Sequence, residues 1–152
     1  MASIDRSDPV ILGHVLAEHR DLFSRMQAIK TAFTDRPRPT ADRCAGIRAA
    51  LADLREHLRT HFELEEHGGF MEESIARMPR LGPAVAAVMK EHPTLLAELD
   101  TVIARLSGGD VSADAWVEAG RGFEHFAAVM RDHERSENAV VQEGYNEDLG
   151  LD

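Results

Sequence analysis

Four of the eight histidines in this 152-residue chain stand where a hydrophobic residue belongs. His19, His61, His92 and His133 each interrupt an apolar repeat of three and four residues, the signature of one helix face. Two of the repeats carry a glutamate four positions further on, Glu65 after His61 and Glu137 after His133. Residues four apart share a helix face, so each His-x-x-x-Glu pair points inward, one turn apart. A buried ionised glutamate is costly unless it is paired or bound to a metal. No lysine or arginine interrupts the four stripes, so a pair of metal ions is the simplest compensation. Imidazole with carboxylate suits iron, manganese or zinc, and six ligands suit two ions better than one.

The elements that must position these residues are four amphipathic helices, roughly 9–34, 41–67, 83–106 and 113–143, in one domain spanning 1–152. The first begins after Asp8-Pro9, a capping carboxylate followed by proline, and ends at Pro37 and Pro39. Thr40 caps the second, whose stripe is Cys44, Ile47, Leu51, Leu54, Leu58, His61 and Glu65, ending at Gly68-Gly69. Residues 70–82 read as a short helical turn plus a loop. Pro83 opens the third helix, with Val85, Val88, His92, Leu95, Leu99, Val102 and Leu106 on its stripe. Pro93 lies inside it and is expected to bend it. Ser112 caps the fourth, with Trp116, Ala119, Phe123, Phe126, Met130, His133, Glu137 and Val140 inward and Gly144 as its end. Short connections imply an all-α, up-down-up-down antiparallel four-helix bundle.

Height along the helices tests whether the histidines can meet. At ~1.5 Å per residue, His19 and His92 lie ~15 and ~14 Å above the starts of their helices. His133 lies ~15 Å, and His61 ~9–12 Å, before the ends of theirs. In an antiparallel bundle all four then fall in one layer. One such histidine alone reads as a hydrogen-bonded core residue; four in a layer, with two glutamates, read as metal ligands.

Composition narrows the rest. Hydrophobic residues make up 43% and aromatics only 5%, which favours a packed helical core over strands. The net charge of -10 repels phosphate backbones, so nucleic acid is not expected as a partner. The single cysteine, Cys44, excludes an internal disulfide and reads as a small buried residue. No signal peptide and no run of about 20 apolar residues is seen, so a cytoplasmic protein without membrane attachment is expected.

At its ligand-bearing segments the chain resembles the hemerythrin-like (HHE) family. The matching pieces are EHRDLF around His19, HFELEE around His61, KEHPTLLAEL around His92 and HERSEN around His133, across about residues 8–146. The resemblance implies a bundle holding two non-haem iron ions, bridged by the two carboxylates and an oxo or hydroxo group. It also implies a small ligand: O2, peroxide, nitric oxide or iron itself. One place departs from the oxygen carriers, which have a second histidine one turn before that of the third helix; here Val88 stands there. The expected site is then open on both irons, which favours reaction or sensing over reversible carriage.

The other histidines read as bystanders: His57 flanks the second stripe, His125 borders the core edge, and His14 and His67 lie off the site. Glu66 and Glu134 adjoin the ligand pairs on what is expected to be a solvated face, with a role in tuning or joining the site left open. Met26, Met89 and Met130 read as core fillers, and Tyr145 as packing near the bundle end. Three functions remain: a di-iron protein, as an oxidoreductase or a binding protein, acting on O2, peroxide or nitric oxide; an iron-binding, sensing or storage protein without turnover; and a structural or zinc-holding bundle. No protein partner is named by the sequence.

Overall fold

The computed structural model describes residues 9–35, 39–67, 70–108 and 112–148. The expected cap at Asp8 and the breaks at Pro37, Gly68-Gly69 and Gly109 lie outside the described residues, as do the side chains of His14 and Tyr145. Among the described residues the chain is helical, with no strand. Four long helices, α1 (Pro9–Thr34), α2 (Ala41–His67), α4 (Gly82–Ser107) and α5 (Ala113–Asp148), form a helical bundle. A short α3 (Phe70–Arg77) and a 3-10 turn (Pro79–Leu81) join α2 to α4.

Local chemistry explains the boundaries. The Thr40 hydroxyl accepts the Arg43 N–H at 3.1 Å, and the Ser112 hydroxyl accepts the Ala115 N–H at 3.1 Å, so both expected caps are made. The helix α4 runs on through Pro93, whose side is exposed. Two boundaries differ from expectation. Residues 70–81 are a full short helix and a 3-10 turn, because Met71, Ser74, Met78 and Leu81 are buried at three- and four-residue spacings. Gly144 does not end α5, which continues to Asp148. A glycine in a helix costs only about 1 kcal/mol and need not end it.

Residue pairs between neighbouring helices give their register. Arg48 donates to the Leu106 carbonyl, Arg55 pairs with Asp100, and Glu66 meets His92 between α2 and α4. Arg25 pairs with Asp53, and Glu18 with His61, between α1 and α2. His125 pairs with Glu98, and Arg80 with Glu143, along the α4 side of α5. Trp116 Nε1 donates to the Phe33 carbonyl at 3.2 Å, tying α5 to α1.

The core is two apolar clusters. The larger holds Leu51, Leu54, Leu58, Phe62, Leu95, Leu99, Phe126 and Met130, among others. The smaller holds Met71, Met78, Leu81, Val85, Val88 and Val140. Each fully buried aliphatic or aromatic side chain contributes roughly 1.5–3 kcal/mol. The gap between the clusters is polar. Along α4 it falls between Val88 and Leu95, at His92; along α5 it falls between Met130 and Val140, at His133 and Glu137.

Candidate metal centre

That polar layer contains all six residues singled out in the sequence. His19 comes from α1, His61 and Glu65 from α2, His92 from α4, and His133 and Glu137 from α5. None is more than 6% exposed. Their imidazole Nε2 atoms converge: those of His19 and His61 are 3.2 Å apart. The His92 and His133 rings lie 5.0 Å apart between centroids.

The two inner carboxylates each span both histidine pairs. Glu65 Oε2 is 3.5 Å from His61 Nε2, and its Oε1 is 3.4 Å from His92 Nε2. Glu137 Oε1 is 3.1 Å from His19 Nε2, and its Oε2 is 3.3 Å from His133 Nε2. Both carboxylates, together with His92 Nε2 and His133 Nε2, lack hydrogen-bond partners. Buried polar atoms are nearly always satisfied, so this many orphans in one layer fit a group of donors that could hold an ion. The donors fall into two groups with ligand atoms within 4.8 Å of one another. One is His19, His61, Glu134 and Glu137; the other is Glu65, His92, His133 and Glu137.

Charge in the layer follows from this crowding. Burial, then the close approach and charge of Glu137, push the Glu65 carboxyl up to about 12. Burial also opposes charge on Glu137, but its contacts with His133, His19 and Glu65 prevail and hold it below the usual carboxylate range. Burial alone would lower the His19 imidazole; Glu134 and Glu137 beside it outweigh this and raise it to about 9. His133 is raised against burial by Glu137 and Glu91, whereas burial lowers His92.

Four further glutamates face the histidines from outside the layer. Each faces a Nδ1 atom, leaving Nε2 for the centre. Glu18 of α1 lies 2.8 Å from His61 of α2; Glu66 of α2 lies 3.2 Å from His92 of α4. Glu91 of α4 lies 2.9 Å from His133 of α5; Glu134 of α5 lies 2.9 Å from His19 of α1. The four contacts close a circuit around the bundle. A carboxylate on Nδ1–H fixes the tautomer that presents Nε2 as a lone pair.

Sequence reasoning singled out Glu66 and Glu134, leaving open a role in tuning or joining the site, and missed Glu18 and Glu91. Glu134 was expected on a solvated face and is instead 3% exposed, because α1 packs over it. The available signal was adjacency, since Glu18, Glu66, Glu91 and Glu134 each sit next to an inner residue. Phe62 was also missed: its ring stacks on His92 at 3.8 Å, 5° from parallel. His57 does not reach the layer. It lines a cavity of about 480 Å3 between α1 and α2, with Glu18, Asp21, Asp53, Glu56 and His61. His67 is exposed, and His125 pairs with Glu98 away from the site.

The pattern of the hemerythrin HHE cation binding domain matches residues 10–143. The chain belongs to the hemerythrin family. No curated protein and no solved structure matches it. Membership of the hemerythrin family implies metal binding, and the two histidine–glutamate groups are where a hemerythrin domain of this sequence could hold it. No helix among the described residues is long and apolar enough to cross a membrane.

Proposed function

We propose that the chain is a non-haem di-iron protein that binds or reacts with O2, peroxide or nitric oxide. The observation that carries this reading is the double span of Glu65 and Glu137, each placing one oxygen near each histidine pair. One ion would be held by His19 and His61, the other by His92 and His133, with both carboxylates shared. Bound iron would supply a redox-active, Lewis-acidic pair for a small ligand.

The chain's own residues do the rest. Glu18, Glu66 and Glu91 orient the imidazoles through Nδ1. Phe62 and the apolar clusters on either side exclude bulk water, which sets the electrostatic environment. The cavity beside His61 brings solvent to the edge of the centre. Val88 stands where the oxygen carriers have a further histidine, which favours reactivity or sensing over carriage. A single domain spanning 1–152, up-down-up-down antiparallel topology, and a cytoplasmic setting without nucleic-acid or membrane partners belong to the same reading. The topology is supported by neighbouring helices pairing rising residue numbers with falling ones, as in Arg48–Leu106 and Glu66–His92.

The test is anaerobic loading with ferrous iron, metal analysis, and near-ultraviolet spectra on adding O2, peroxide and nitric oxide in turn. About two irons per chain and a spectral response to one of the three is expected. Two irons with no response would leave an iron-holding protein without turnover. A protein that takes only zinc, or no metal, overturns the di-iron reading.

A further inference from the structure

We infer that Glu134 is a seventh metal ligand, completing the half of the centre held by His19 and His61 and making the two halves unequal. This rests on the di-iron reading above and sharpens it.

Glu134 occupies the same place in the circuit as Glu18, Glu66 and Glu91, but its surroundings are different. The side chains of those three are 29%, 41% and 47% exposed, and each makes an aligned hydrogen bond to its histidine. Glu134 is 3% exposed, and neither of its oxygens has a hydrogen-bond partner. The 2.9 Å approach of His19 Nδ1 is a close charge contact without hydrogen-bond alignment. A carboxylate taken out of water needs either good hydrogen bonds or a cation. Orienting His19 would not require burying Glu134, since the other three glutamates orient their histidines from the wet surface.

The donor set supports the assignment. Ligand atoms of Glu134 lie within 4.8 Å of those of His19, His61 and Glu137. No outer glutamate joins the opposite group, which consists of Glu65, His92, His133 and Glu137. Two imidazoles, one oxygen each from Glu65 and Glu137, and Glu134 make five protein donors in one half. The other half has four. Three buried carboxylates against two divalent ions also leave less net charge in the core than two would. The sequence expectation of two equally open ions is therefore revised: the four-donor half beside Val88 is the one with room for an incoming ligand.

The experiment uses the full chain, loaded anaerobically with ferrous iron alone, as wild type, Glu134→Gln, Glu134→Ala and His67→Ala. Glutamine keeps the size and an oxygen that can accept from His19 Nδ1, but loses the anionic ligand. Chelator competition is expected to show one of the two irons weakened about tenfold or more in both Glu134 variants, with the second iron unchanged. His67→Ala, exposed at the end of α2 and away from the layer, is expected to keep both. Mössbauer spectra of the wild type are expected to show two unequal iron environments that become alike in Glu134→Gln. Circular dichroism checks that each variant is folded, and the isosteric Gln variant carries the test should Ala fail. Wild-type binding of both irons by Glu134→Gln, or equivalent irons in the wild type, overturns the inference alone. A wild type that takes up no iron overturns the di-iron reading beneath it, a separate and recognisable result.

Discussion

His133 is held from two sides: its Nδ1 lies 2.9 Å from Glu91 Oε1, and its Nε2 lies 3.3 Å from Glu137 Oε2. The outer contact decides which nitrogen is free for the inner one. Glu91→Ala is expected to loosen iron by roughly 10–100-fold, while Glu91→Gln, which can still accept from Nδ1, stays near wild type. Chelator competition on the two variants measures this, and equal losses in both would show that Glu91 acts through its charge instead.

Histidine position separates the site from the surface. His61→Ala is expected to lose at least one of the two irons, because it removes a buried Nε2 donor facing Glu65. His67→Ala is expected to retain both, since His67 is exposed at the end of α2. Metal analysis of the purified variants checks the pair.

Phe62→Ala is expected to destabilise the fold by about 3–5 kcal/mol, the usual range for emptying a buried aromatic site. The ring is 2% exposed and stacks on His92, so the same variant should also broaden or shift the metal spectrum. Denaturant unfolding of the metal-free protein gives the first number. An unfolding midpoint equal to that of wild type would contradict the packing described.

The metal-free bundle is expected to weaken as pH rises from 7 to 9. Folded His19 titrates at about 9, above its ordinary 6.5, so it favours the fold below 6.5 and loses that contribution as pH climbs through 9. His133 is raised and acts in the same direction. Glu65, raised to about 12 from 4.5, favours the fold while protonated and opposes it increasingly above 4.5. Glu137 is lowered and His92 is lowered, so their losses come on the acid side and leave this window untouched. Thermal melts across pH 7–9 measure the slope, and Glu65→Gln is expected to flatten it.

Loading is expected to reverse that slope. A metal displaces protons from its ligands, so iron uptake at pH 7 should release protons and the loaded protein should gain stability with rising pH. A pH-stat titration with ferrous iron counts them.

The sequence carried the inner layer because its residues break an otherwise apolar rhythm: a histidine among leucines is visible without coordinates. The outer glutamates break no rhythm. Glu134 follows His133 by one residue, which turns it about 100° around the helix, and whether that direction meets water or α1 depends on which helix packs there. The end of α5 was misjudged for a different reason. Gly144 is a weak local stop, costing only about 1 kcal/mol within a helix, and α5 runs through it to Asp148.

The circuit of outer glutamates has a direction, from α1 to α2, then α4, then α5, and back to α1. Every long helix therefore sets a glutamate against one neighbour's imidazole and has its own imidazole faced by the other neighbour's glutamate. Turning any one helix about its axis misplaces two imidazoles on two helices at once. The frame of four imidazoles should consequently form and fail as a unit, and its loss on heating should be steep.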